Sequence, residues 1–238
     1  MALIFSPVTQ DVIEGPFIPG PGCAFLMLHS GSPRSRLDRE LEVHVVDALS
    51  GLEITAVRAT DVSGTGDYLD KILGLIRGCG MGVAIFSEAT PAPTLANIFF
   101  EVGLCLTFGR PVVFAKTEEA RAPSDFVRTE WVAMRDDGDA FRDSLSSSFE
   151  SVLSLAGYYR DMAEVAMEAD EIDYELAFER YTQAVLIGRS RDDIGQIRRI
   201  CESLQGGRSD DLRMSMSRKR LTTAVGHFLK GVEAAFDR

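Results

Sequence analysis

Between residues 23 and 135, five short apolar runs alternate with stretches whose apolar residues repeat at helical spacing; the runs fall at 24–29, 53–59, 82–86, 111–115 and 131–134. Strands separated by helices pair in parallel, because each crossover returns the chain to the same end of the sheet. Right-handed crossovers then favour the strand order 2-1-3-4-5, which reverses direction between the first and third strands. In such sheets ligands enter at that reversal, outside the carboxyl ends of the strands.

The expected fold is therefore α/β, a five-stranded parallel, flavodoxin-like, doubly wound sheet. Residues 1–22 are broken by Gly15-Pro16 and Pro19-Gly20-Pro21-Gly22 and read as an irregular leading segment. Residues 23–135 form the α/β domain. From 136 to 238 the strand signal stops and helical periodicity takes over, first in Phe141, Leu145, Phe149, Val152 and Leu153, then in Ile172, Leu176, Phe178, Tyr181, Val185 and Leu186. This is a helical extension, with Gly206-Gly207 set before its last helix. Inside the domain, helices are expected over 36–49 and 67–77, with Asp67 as an N-cap of the second, and a third helix is expected after a loop at 87–96.

The formal charge of −11 argues against non-specific attraction to nucleic acid. No apolar run approaches the roughly 20 residues that span a bilayer, and nothing reads as a secretory signal, so a cytoplasmic location without membrane attachment is expected. Cys23, Cys79, Cys105 and Cys201 are scattered, as are His29, His44 and His227, so no metal site is expected and the thiols read as free. The arginines of the extension, among them Arg189, Arg191, Arg198, Arg199 and Arg218, read as a solvated helical face or a contact for an anionic partner. The apolar faces of the same helices suit a homo-oligomer seam or a partner protein.

One carboxylate stands out. In Asn97-Ile98-Phe99-Phe100-Glu101-Val102-Gly103, Asn97 and Glu101 share a helix face beside an apolar stripe, just after the third strand. Glu101 then borders the crevice at the sheet's reversal and is the catalytic candidate. Cleaving an N-glycosidic bond passes through a ribosyl-cation-like state, which one well-placed carboxylate can stabilise or capture. A base that is already cationic on its sugar, such as nicotinamide, leaves without a general acid. The bland reading is a helix-favouring glutamate near a helix start, with Asn97 as N-cap. Gly103 in a helix costs about 1 kcal/mol relative to Ala and is expected to allow close helix-to-strand packing. Candidate substrate contacts are Ser30, Gly31 and Arg34 after the first strand, Asp61, Ser63 and Tyr68 after the second, and Ser87 and Asn97 after the third. For these, surface turns and caps are the plain alternative. His29 reads as a satisfied edge histidine.

The series Cys79-Gly80-Met81-Gly82-Val83-Ala84-Ile85-Phe86-Ser87, then Asn97 to Gly103, then Gly109-Arg110-Pro111-Val112, resembles the core of the nucleoside 2-deoxyribosyltransferase and Toll/interleukin-1 receptor (TIR)-like group of nucleotide domains. The resemblance covers about residues 23–135 and leaves the extension aside. It implies cleavage of a glycosidic bond in a nucleoside or dinucleotide, with Glu101 acting on the ribose and NAD as substrate or ligand rather than as a resident cofactor. Members of the group destroy NAD in bacterial antiphage defence, and others bind or make signalling nucleotides. Deoxyribosyltransferases usually carry an acidic residue with a glycine in the loop before the helix, a pattern absent from Glu88-Ala89-Thr90-Pro91-Ala92-Pro93-Thr94-Leu95-Ala96. The resemblance therefore favours dinucleotide cleavage over base transfer, with a nucleotide-sensing module as the alternative outside catalysis.

Overall fold

A computed structural model describes residues 20–61, 68–123, 131–206 and 212–237. Its sheet is five-stranded and wholly parallel, in the order β2-β1-β3-β4-β5. The strands are β1 (Cys23–Met27), β2 (Thr55–Arg58), β3 (Met81–Phe86), β4 (Val112–Thr117) and β5 (Trp131–Met134). The helices are α1 (Arg36–Gly51), α2 (Tyr68–Gly78), α3 (Ala92–Thr107), α4 (Gly138–Glu168), α5 (Tyr174–Gly188), α6 (Arg191–Gly206) and α7 (Leu212–Phe236).

Every residue of β3, Met-Gly-Val-Ala-Ile-Phe, is buried. A central parallel strand is covered on both faces, so an unbroken apolar run suits it better than alternation. On one face, Leu41, Val45 and Leu49 of α1 share a core with Phe141, Leu145, Phe149 and Val152 of α4. On the other, Ile72 and Ile76 of α2 pack with Ile98, Val102 and Cys105 of α3 around Phe25, Met27, Phe86 and Phe114. Helices on both faces make the sheet doubly wound, as expected from the alternation of elements.

α4 is a 31-residue helix, about 46 Å long. Its first half closes the sheet's α1 side, while Ala163 and Ala166 near its end join a separate core with α5, α6 and α7. The change in periodicity at residue 136 thus precedes a helix that belongs to both cores. Ile172, read from the sequence as the start of a helical stripe, is exposed and lies before α5, whose N-cap is Asp173. The Asp173 side chain accepts from Leu176 N at 3.0 Å.

The tail returns to the amino edge of the sheet. Gly22 N donates to Leu186 O at 2.8 Å, and the Arg189 side chain donates to Glu53 O. Gly80 lies so close that a Cβ there would stand 2.6 Å from Leu186 O. The arginines of the extension mainly join its own helices. Arg198 pairs with Glu233 at 2.5 Å, Arg191 lies over Phe236, and Arg218 donates to Leu204 O and Ser203 O at the end of α6. No helix among the described residues is long and apolar enough to cross a membrane.

Candidate functional site

α3 begins at Ala92, five residues before Asn97. Pro91 and Pro93 read as loop residues, but proline is tolerated in a first helical turn, where its missing N–H would have had no partner. Asn97 is therefore an exposed residue inside the helix, and the N-cap is Pro91, with no side-chain cap bond. Glu101 falls in the third turn rather than the first. Gly103 is exposed, and a Cβ there would meet nothing within 4 Å, so the expected helix-to-strand packing role is corrected. The close glycine on this face is Gly82 of β3, where a Cβ would stand 2.8 Å from Met27 Cε and 3.0 Å from Cys105 Sγ. Gly109, with φ of 66°, ends α3 as the sequence suggested.

Cys105 Sγ lies 3.9 Å from Met27 Sδ, and Met27 is the last residue of β1. Glu101 is one turn earlier on the same helix face, about 6 Å nearer the carboxyl edge of the sheet. Its charge is felt by the Cys105 thiol, which burial first and then Glu101 push up to about 12. The Glu101 carboxyl is half-buried, and among the described residues it has no hydrogen bond or ion pair. Burial pushes it up to about 7. Exposed Phe100 and buried Val102 flank it in sequence.

A polar cluster occupies the α1 side of the reversal. Asp38 of α1 is 3% exposed, and its Oδ1 accepts from Ser87 Oγ at 2.7 Å and from Thr90 Oγ1 at 2.9 Å. Thr90 Oγ1 accepts in turn from Ser87 N at 2.8 Å, and Ser87 Oγ accepts from Ala89 N at 3.2 Å. Asp38 Oδ2 faces His29 Nδ1 at 3.7 Å, and neither atom makes a hydrogen bond. Burial alone would raise the Asp38 carboxyl. The hydroxyls of Ser87, Ser35 and Thr90, together with His29, outweigh burial and hold it below its ordinary value. A Cβ on Gly31 would stand 2.7 Å from His29 Nε2, so the loop after β1 closes against this ring.

Sequence reasoning named Ser87 and passed over Asp38 and Thr90. Ser35-x-x-Asp38 was the available signal, since an N-cap serine with an acid three residues on marks a helix start. Ser35 Oγ does accept from Asp38 N, at 2.9 Å, but the Asp38 carboxylate turns inward to the third strand's loop.

Two other candidates are tied into ion pairs. Glu42 accepts from Arg34 Nη1 at 2.5 Å and from Arg58 Nε at 2.6 Å, and Asp61 accepts from Arg58 N at 2.9 Å. Arg34 and Asp61 are thereby ends of one network, Arg34–Glu42–Arg58–Asp61, that joins the loops after β1 and β2. Ser30 is exposed. Ser63 and Asp67 lie outside the described residues, and Tyr68 begins α2. Beyond β4, the Thr117 hydroxyl donates to Glu88, while Lys116 Nζ donates to the carbonyls of Thr117, Glu118 and Ala120. Among the described residues no group of three or more His, Cys, Asp or Glu side chains is placed to hold a metal ion.

Two carboxyl groups of opposite character thus stand on helices that cover opposite faces of the sheet. Asp38 is held ionised by hydroxyl donors, and Glu101 is drawn toward its neutral form by apolar surroundings. Environments that split two acids in this way allow one fold to use them for different tasks. No family model matches the chain, and no curated protein or solved structure is detectably similar to it.

Proposed function

We propose that the protein cleaves an N-glycosidic bond in a nucleotide, with NAD as the leading substrate and Glu101 acting at the ribose. The observation that carries this reading is the half-buried Glu101 carboxyl, without a described partner and pushed up to about 7, on the helix that follows β3. An unpaired carboxylate in apolar surroundings costs free energy, and a positive charge arriving beside it relieves that cost. A ribosyl cation developing as the base departs is such a charge, and the stabilisation is greatest at the transition state. Nicotinamide, cationic on its sugar, also requires no acid to leave. The motif resemblance around Glu101 points the same way, and it suggests a bacterial antiphage or stress system as the setting.

Incubation of the full chain with NAD, followed by measurement of free nicotinamide, tests this reading. Glu101→Gln keeps the size of the side chain and removes its charge, and it is expected to lower turnover at least about 100-fold. Equal turnover by the two proteins would remove Glu101 from the chemistry. A nucleobase acceptor added to the same assay tests the deoxyribosyltransferase-like alternative, which transfers the sugar instead of hydrolysing it.

A second reading is a nucleotide sensor that signals through its helical tail. It is favoured by α4, whose two halves serve the sheet core and the tail core. Stabilisation of wild type and Glu101→Gln alike by a nucleotide that neither consumes would select it.

A further inference from the structure

The seam between the tail and the amino edge of the sheet holds a second concentration of charge, remote from the crevice. Arg110, in the turn between α3 and β4, is the largest fully buried side chain among the described residues and is 2% exposed. Its Nη2 donates to Arg77 O at 2.9 Å, whereas Nε and Nη1 have no hydrogen-bond partner. Arg180 of α5 approaches from the tail. Its Nη1 donates to Gln183 Oε1 at 2.8 Å, its guanidinium lies 5.7 Å from the Tyr159 ring centroid, and its buried Nε is also without a partner. Gln183 Nε2 donates to Gly109 O at 3.1 Å, which brings this part of α5 against the residue preceding Arg110.

The Tyr159 phenol lies within electrostatic reach of both arginines. Burial raises it, while Arg180 and Arg110 act to lower it. Arg77 is a further buried guanidinium beside Arg110, and burial first, then the charge of Arg110, bring it down to about 10. Glu179 is an acidic neighbour of Arg110, yet it bonds to neither the Nε nor the Nη1 of that residue.

A buried cation with unmade hydrogen bonds is strongly unfavourable, and like charges packed beside it add to the cost. A small oxyanion answers both, because it brings negative charge and several acceptor lone pairs in one group. Tyrosine adds a hydroxyl donor to the same place. We infer that the seam between Arg110 and Arg180, beside Tyr159, binds a small oxyanion of the phosphate class, and that this anion fastens the helical tail to the sheet.

The test is thermal unfolding of the full chain in potassium phosphate and in potassium chloride at matched ionic strength. Wild type is expected to melt about 3 °C higher in phosphate. Arg180→Gln and Arg110→Gln are each expected to lose most of that increment, and Arg34→Gln, altered at the crevice, is expected to keep it. If Arg110→Gln does not fold, Arg180→Gln, whose residue is less buried, decides the matter. Equal melting of wild type in the two salts would overturn the inference. So would an increment that survives Arg180→Gln, or one lost in Arg34→Gln, which would place the anion at the crevice.

Discussion

Ser87 Oγ donates to Asp38 Oδ1 at 2.7 Å, and this bond ties the end of β3 to α1 across the reversal of the sheet. The two residues are 49 positions apart in sequence, so the contact exists only once the crossovers have formed. Asp38→Ala leaves the Ser87 and Thr90 hydroxyls in a buried setting without their acceptor. A loss of about 3 kcal/mol is expected from urea unfolding at pH 7. Because the folded Asp38 carboxyl is held below its ordinary value, its contribution is present above the unfolded pKa and fades as pH falls through the folded one. The deficit of the variant should therefore shrink in acid; a deficit independent of pH would show that Asp38 acts through packing alone.

Glu101 has the opposite sign. Its folded pKa of about 7 lies above the ordinary carboxyl value of 4.5, so the folded chain retains a proton that the unfolded chain releases between those limits. Stability is lost as pH rises through that window. The shift corresponds to at most about 3 kcal/mol, and partial solvation of the side chain reduces this to about 1–2 kcal/mol. Glu101→Gln should be more stable than wild type at pH 8 by that amount and nearly equal to it at pH 4. Denaturant midpoints at the two pH values check this, and identical differences at both would remove the raised pKa.

Gly103 offers a test of helix α3 that leaves its core contacts untouched. Its position is helical and open, so Gly103→Ala should stabilise the chain by about 0.5–1 kcal/mol, chiefly by restricting the unfolded state. A fall in the melting temperature would mean that this face of α3 is in contact with something that the added methyl group disturbs.

Gly80 predicts the reverse. A methyl group there meets Leu186 O at 2.6 Å and Ile187 Cα at 3.2 Å, and these are backbone atoms that cannot swing aside. Gly80→Ala should cost about 2 kcal/mol or more by pushing α5 off the sheet edge. Hydrogen exchange of the amides at 184–188 should rise in the variant, and unchanged protection would show that the helix end does not depend on this approach.

Much of the architecture was legible because it rests on local pattern. The five apolar runs announced the strands, right-handed crossovers their order, and β5 was read at its observed limits, Trp131–Met134. Glu101 was read in the first turns of the helix after β3, and it stands in the third turn of α3. What escaped depended on distant partners. Arg34 read as a free ligand contact although Glu42, which engages it, lies eight residues on, and Asp61 although Arg58 lies three residues back; only the bond between Glu42 and Arg58, sixteen residues apart, joins the two into one network. Asp38 was passed over because its partner Thr90 is 52 residues away. Arg110 was a letter in a motif, and its burial became visible only in the fold, where it heads the fully buried side chains among the described residues. The start of α3 was misread for a local reason, since its two prolines suit a first turn as well as a loop.

The double membership of α4 carries a consequence for dissecting the chain. Cutting at the compositional break after residue 135 removes Phe141, Leu145, Phe149 and Val152, and with them the lid over the α1 side of β4 and β5. Val113, Ala115, Val132 and Met134 would then meet solvent, an invitation to clump. The shortest fragment able to stand alone must run past Val152, and there it ends within an uninterrupted helix.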